Sequence, residues 1–146
     1  MMKKSFRILI FSLSIVLISF NMTVAQVDYK ISGEVQYSGP NNIIICLYDQ
    51  NTWPAWKKEL PSANFLITTK ADKSGKTKFS FNKIPKNDYV ILVFIDSNDN
   101  GKLDCDTWGF VQELIDFYKP VKEHSNWNDQ KFTLDKDLAG LVFQFR

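Results

Sequence analysis

The chain has 146 residues, of which 45% are hydrophobic, and 18 basic against 16 acidic side chains give a formal net charge of +2. Its lysines are scattered among acids rather than gathered in one run, so the charge pattern gives no support for a nucleic-acid-binding protein. A chain of this length suits a single domain with one hydrophobic core.

The amino-terminal segment predicts an export signal. Three basic residues lie within the first seven positions, an apolar run follows from Ile8 to Phe20, and small residues precede Gln26. We therefore expect residues 1–25 to be a signal peptide and residues 26–146 to form a single domain in the periplasm or outside the cell. The alternative is a membrane anchor, but this run is short for the ~30 Å hydrocarbon core of a bilayer. The first cysteine, Cys46, lies far beyond the cleavage site, so we do not expect an acylated lipoprotein. We also expect no transmembrane segment after signal cleavage.

Short strands dominate the first part of the mature chain. The stretch Tyr29–Tyr37 places apolar side chains at alternate positions before the turn signal SGPNN. The stretch Ile43–Tyr48 is apolar on both faces and rich in β-branched residues, which favours a central strand. The stretch KFSF and the run Asp88–Ile95 predict two more strands around the turn NKIPKN.

The remainder of the chain also favours strands. KFTL and LVFQF near the end both alternate apolar and polar side chains, and only WGFVQELIDFYK has a hint of helical spacing. Strands separated by turns, without a long amphipathic helix, predict an all-β fold, a single antiparallel β-sandwich. Cys46 reads as a strand residue and Cys105 as a loop residue, and whether the two form a disulfide stays open.

The loop DSNDNGKLD, residues 96–104, carries oxygen-bearing side chains at the spacing of a calcium loop. With Asp96 as the first position, Gly101 falls at the sixth, where the loop needs a sharp bend. A hard cation prefers oxygen ligands, and each remaining candidate supplies one. The predicted Ca²⁺ ligands are Asp96, Asn98, Asn100, the backbone carbonyl of Lys102, and Asp104, with Asp106 or Glu113 as a further carboxylate.

Two features depart from an EF-hand, and a plain turn is the alternative. Thr107 stands in place of the bidentate glutamate, and a strand rather than a helix precedes the loop. The run NDNG is also a strong hairpin signal, because Asn100 and Gly101 both tolerate a positive φ. So few carboxylates predict weak calcium binding, with a Kd of roughly 10⁻⁴ to 10⁻³ M.

The segment from Phe79 to Glu113 resembles the signature of a secreted bacterial family, the domain of unknown function twenty-one forty-one. Phrases of the form F-x-x-L-P-x-G-x-Y-A-V, H-D-x-N-x-N-G-K-L-D and G-x-P-x-E are typical of that family. The matching residues are Phe81, Ile84, Pro85, Tyr89 and Val90 for the first phrase, Asp96, Asn98, Asn100, Gly101, Lys102, Leu103 and Asp104 for the second, and Gly109 and Glu113 for the third. The flanking strand pairs are similar as well, so the resemblance covers nearly the whole mature chain.

Departures from that signature limit what the resemblance implies. Ile95, Asn87 and Val111 stand where the family has a histidine, a turn glycine and a proline. Any chemistry that the histidine carries in relatives is therefore lost in this chain. The resemblance implies a transthyretin-like or immunoglobulin-like sandwich and implies no established activity.

We expect no enzymatic activity. The single histidine, His124, lies in a polar stretch, where a solvated side chain is more common than a catalytic base. One acid of a catalytic pair needs an apolar pocket to hold its proton, whereas the amide-rich surroundings of Asp96 and Asp104 favour a cation. The sequence contains neither a glycine-rich phosphate loop nor a His/Cys metal cluster.

Four tryptophans are the candidate ligand-binding residues: Trp53, Trp56, Trp108 and Trp127. Exposed indole rings beside polar residues suit stacking on sugar rings or anchoring a protein partner. The alternative is that these rings cap the ends of the sandwich, since large aromatic side chains usually bury most of their surface.

Together these features predict an exported, noncatalytic binding or accessory module of the bacterial cell envelope, with one weak structural calcium site and an unidentified protein or glycan partner. The alternatives are a purely structural secreted domain without metal and a carbohydrate-binding module that uses the loop tryptophans. Exposed, coplanar rings at Trp53 and Trp56 would favour sugar binding.

Overall fold

Eight strands and one short helix make up the part of the chain that the structure describes. The computed structural model describes residues 27–53, 62–120 and 126–146. The expected signal peptide, Trp56 and His124 lie outside these residues. The elements in chain order are β1 (Asp28–Gln36), β2 (Asn42–Tyr48), β3 (Phe65–Thr69), β4 (Lys76–Pro85), β5 (Asn87–Asp96), β6 (Ile115–Phe117), α1 (Trp127–Gln130), β7 (Phe132–Leu134) and β8 (Leu138–Gln144).

The strands form two sheets, which confirms the predicted all-β sandwich. One sheet has three strands in the order β4-β1-β8, and the other has the order β3-β2-β5-β6, with β7 also paired to β5. The pairings between these strands are antiparallel except that of β1 with β8, which is parallel. Because β7 belongs to the second sheet and β8 to the first, the chain crosses between the sheets there and joins β1 in the same direction.

Helical structure within the described residues is confined to α1. The stretch with a hint of helical spacing, residues 108–119, forms part of a loop and the strand β6. Ile115 and Phe117 of β6 pair with Phe94 and Leu92 of β5, so sheet pairing prevails over the weak local pattern. None of the described residues belongs to a helix long and apolar enough to span a bilayer.

Apolar side chains from both sheets fill the space between them. Ile31, Ile45, Phe81, Val93 and Phe143 face inward, and each exposes at most 5% of its surface. Burial alternates along β1 and β8, because their other face is open to solvent. This alternation is what the sequence pattern of these two strands predicts.

β2 and β5 are buried on both faces, which confirms the interpretation of β2 as a central strand. Their outward-facing side chains, among them Ile44, Cys46 and Leu92, form a second apolar cluster on the far side of the sheet. Four loop residues and the first residue of α1 cover this cluster: Trp53, Ala63, Leu103, Val111 and Trp127. The loop that follows β5 is therefore held against the sheet by its own apolar side chains.

Both cysteines are free thiols. Cys46 is buried in the second cluster, and burial raises the pKa of its thiol to about 11. Cys105 lies in the loop after β5, where its backbone forms an isolated antiparallel bridge with Val111. The two residues are thus parts of different elements, and neither side chain is engaged in a disulfide.

Candidate functional site in the loop after β5

The predicted calcium ligands lie at the end of β5 and in the β5–β6 loop, residues 97–114. Asp96 is the last residue of β5 and is 0% exposed. It pairs with Asn42 of β2 and, like the residues that precede it in β5, is covered on both faces of the sheet. An ionised group at such a position costs free energy unless hydrogen bonds satisfy its oxygens.

Backbone amides of the loop satisfy the Asp96 carboxylate. The N–H of Asn100 donates to Oδ1 at 3.0 Å, and the N–H of Gly101 donates to Oδ2 at 2.7 Å. Positive φ angles at Asp99 (58°) and Gly101 (75°) produce the sharp bend of this segment. Asp is among the few residues with a side chain that tolerate this conformation, and glycine adopts it without strain.

Two amide side chains cross the loop to Asp104. Nδ2 of Asn98 donates to Asp104 Oδ2 at 2.6 Å, and Nδ2 of Asn100 donates to both oxygens at 2.9 and 3.1 Å. The amide oxygens accept backbone N–H groups two residues ahead, that of Asn100 at 3.1 Å and that of Lys102 at 2.7 Å. The structure therefore brings Asn98, Asn100 and Asp104 together, as their spacing predicts.

Glu113 closes the base of the loop from its far end. Its Oε1 accepts the N–H of Ser97 at 2.8 Å and the Ser97 hydroxyl at 3.3 Å, and its Oε2 accepts the N–H of Asp104 at 3.3 Å. A backbone hydrogen bond from Gln112 to the carbonyl of Asp104 runs beside these contacts at 2.9 Å. Glu113, which is itself buried, therefore ties the two ends of residues 97–104 together.

Burial raises the pKa of the Glu113 carboxyl above its ordinary value of 4.5, and the charge of Asp96 adds to this effect. The hydrogen bonds from Ser97 and Asp104 oppose the shift. A carboxyl with a raised pKa in the folded state binds its proton more readily there than in the unfolded chain. Its contribution to stability is thus largest at low pH and falls as pH rises through the folded-state pKa.

The donor chemistry of the loop fits calcium, but its present hydrogen bonds do not require an ion. Among the described residues, no group of three or more His, Cys, Asp or Glu side chains is arranged to hold a metal. Asn98 and Asn100 turn N–H donors toward Asp104, and a cation would have to replace these hydrogen bonds by contacts with oxygen. The calcium site therefore stays a prediction.

Asp106 organises a separate feature, the aromatic tip, which we define as residues 106–110. Its Oδ1 accepts the N–H groups of Trp108 and Phe110, both at 2.9 Å. Two backbone bonds, from Asp106 to the carbonyl of Phe110 at 2.9 Å and from Gly109 to that of Asp106 at 3.0 Å, complete the turn. Asp106 thus supports the tip instead of facing the other predicted calcium ligands through a hydrogen bond.

The aromatic tip presents two large rings to solvent. Trp108 is 85% exposed and Phe110 is 69% exposed. Phe110 is absent from the residues selected by sequence reasoning, which considered tryptophans alone. The stretch DTWGF carries the signal that identifies it, since Asp two residues before Trp and Gly after it favour a tight turn between two aromatic side chains.

The other described tryptophans pack against the sheet. Trp53 lies 6.1 Å from Trp127 between ring centroids, 6.0 Å from Tyr48 and 6.1 Å from Phe117. Both indoles belong to the cover of the second apolar cluster. The structure therefore separates the predicted tryptophan set into Trp108, which is exposed, and Trp53 and Trp127, which are packed.

Comparison with known proteins identifies one family that the chain matches. The family described as an uncharacterised protein conserved in bacteria, DUF2141, has a sequence model that matches residues 32–139. The matched range begins within β1, ends within β8 and includes the whole β5–β6 loop. No curated protein and no solved structure matches the chain significantly.

We predict that Glu113→Ala opens the base of the loop. The variant removes the acceptor of the Ser97 and Asp104 N–H groups. A hydrogen bond to a charged group contributes about 1.5–3 kcal/mol. Hydrogen exchange at these two amides should accelerate by about tenfold or more, since 1.4 kcal/mol corresponds to a factor of ten. Gln112→Ala, which changes an exposed neighbour, serves as the control. Unchanged exchange at both amides in Glu113→Ala would contradict the role of Glu113.

We also predict opposite outcomes for two tryptophan variants. Trp53→Ala should lower the free energy of unfolding by about 2–4 kcal/mol, because it removes three aromatic contacts from the second cluster. Trp108→Ala should change it by less than about 0.5 kcal/mol, because its ring is exposed. Chemical denaturation monitored by circular dichroism measures both values. Equal destabilisation by the two substitutions would contradict the packing described for these rings.

Proposed function

The chain belongs to the bacterial family DUF2141, and on this premise we propose that it is an exported, noncatalytic binding or accessory module of the cell envelope whose binding end is the β5–β6 loop. The observation that carries the proposal is the aromatic tip. Trp108 and Phe110 are exposed although the loop that bears them is anchored by the buried carboxylates of Asp96 and Glu113. A rigid base that displays exposed aromatic rings is typical of a binding surface.

The basic and apolar pattern of residues 1–25 supports export as part of this proposal. We place the domain in the periplasm or outside the cell. We also propose that the sandwich is of the transthyretin-like or immunoglobulin-like kind. The structure has two sheets, one of which pairs the first strand with the last, and this arrangement is compatible with either kind of sandwich.

We propose that the loop binds one calcium ion weakly and that the ion has a structural role. Asp96, Asn98, Asn100, the carbonyl of Lys102, and Asp104 would hold it. Asp106 or Glu113 would supply a further carboxylate. Oxygens of Asp96, Asp106 and Glu113 already accept backbone N–H groups, so the ion would replace some of these hydrogen bonds. When bound, the ion would neutralise part of the negative charge of the loop.

We expect calcium to raise the melting temperature of the purified protein relative to EDTA, with magnesium having a smaller effect. A ligand at about one hundred times its Kd adds about 2.7 kcal/mol to the stability of the folded state. Asp104→Asn should abolish the shift because it removes a ligand charge. Asp99→Asn is the matched control, since it removes the same charge from the same loop at a position outside the predicted ligand set. A calcium shift that persists in Asp104→Asn would refute the site.

The binding role predicts retention by bacterial envelopes. The purified protein should co-sediment with isolated bacterial cell envelopes, and the double substitution Trp108→Ser with Phe110→Ser should reduce the bound fraction at least fivefold. Val142→Ser changes an exposed apolar residue on β8 and should leave the bound fraction unchanged. Circular dichroism melting of the same samples checks that all three proteins are folded. Equal binding by the wild-type protein and the double variant would argue against the β5–β6 loop as the binding end.

A further inference from the structure

The exposed apolar surface of the described residues is concentrated in the β5–β6 loop. Trp108, Phe110 and Leu114 all lie in this loop, with 85%, 69% and 48% of their surfaces exposed. Val27, Leu66 and Val142, by contrast, lie singly, before β1 and on β3 and β8. Scattered apolar side chains are normal on a soluble protein, whereas a group of large ones marks an interaction surface.

The aromatic tip is held in position before any partner arrives. Asp106 accepts two backbone N–H groups of the tip, and the backbone bridge between Cys105 and Val111 closes its base. Val111 packs against the second apolar cluster directly after Phe110 and connects the tip to the sheet. A loop that is already ordered loses less conformational entropy on binding, so the rings can contribute more of their burial energy to affinity.

The charge around the tip restricts the chemistry of its partner. Residues 96–113 contain one lysine and five acids, of which Asp96 and Glu113 are buried. Asp99 is exposed and Asp104 and Asp106 are partly buried, so these three acids outnumber the one exposed lysine, Lys102, at the surface of the loop. This excess of negative charge repels anionic lipid surfaces and anionic polysaccharides. It attracts a cationic surface, and complementary charge around an apolar contact speeds association and favours the matching partner.

We propose that the aromatic tip inserts into an apolar cleft bordered by Lys or Arg side chains on a protein partner. This inference rests on the proposed binding function and adds the chemical class of the partner. Trp108 and Phe110 are the anchors, and Asp99, Asp104 and Asp106 supply the negative charge that attracts the basic border of the cleft. Aromatic anchors of this kind supply most of the binding energy at protein interfaces, while charges at the rim mainly set the association rate.

The test is a selection of phage-displayed random peptides, twelve residues long and cyclised, on the immobilised wild-type protein. Phage that bind the double variant Trp108→Ser with Phe110→Ser are removed in a counter-selection. The expected peptides combine Lys or Arg with aromatic or leucine side chains. Synthetic copies should bind the wild-type protein and Val142→Ser equally, bind the double variant at least tenfold more weakly, and lose affinity as salt increases.

Three results would overturn this inference. The first is that no peptides are enriched, and the second is that enriched peptides lack basic residues and bind independently of salt. The third is that the wild-type protein, but not the double variant, binds phosphatidylcholine vesicles or insoluble peptidoglycan in place of the peptides. That third result would reassign the tip to a membrane or a glycan and leave the proposed binding function standing, whereas failure of the envelope co-sedimentation removes the binding function itself.

Discussion

The burial of Asp96 at the end of β5 is the constraint on which the loop architecture depends. β5 is covered on both faces, so the carboxylate that ends it cannot be solvated by water. Backbone N–H groups of Asn100 and Gly101 take the place of water, and the chain must bend back within five residues to deliver them. The left-handed conformations of Asp99 and Gly101 are the local consequence of that requirement.

The same loop also covers the sheet from which it arises. Leu103 and Val111 are part of the cover over the second apolar cluster. Glu113 accepts N–H groups from both ends of the polar segment 97–104. These apolar contacts and the Glu113 hydrogen bonds fix the loop on both sides, and the aromatic tip between Cys105 and Val111 presents its large rings to solvent. Stability and the proposed binding surface are therefore coupled through a single segment.

Polar and apolar parts of the loop suit different roles in the proposed function. The segment from Asp96 to Asp104 is occupied by internal hydrogen bonds, which suits a structural element with or without calcium. The aromatic side chains of the tip, Trp108 and Phe110, are instead largely exposed. A binding role therefore falls to the tip, and the polar segment holds it in a fixed place relative to the sandwich.

The all-β class, the central position of β2 and the convergence of Asn98, Asn100 and Asp104 can be predicted from the sequence. These features follow from side-chain periodicity and from contacts between residues close in sequence, which a linear pattern records. Three features, by contrast, come from the tertiary structure: β1 and β8 run parallel, Trp53 and Trp127 pack together while Trp108 is exposed, and Glu113 accepts N–H groups at both ends of residues 97–104. Each of these depends on which residues, separated along the chain, come together in the folded protein. Residue composition and spacing do not specify which side chains become neighbours in space, and the burial of a side chain depends on those neighbours.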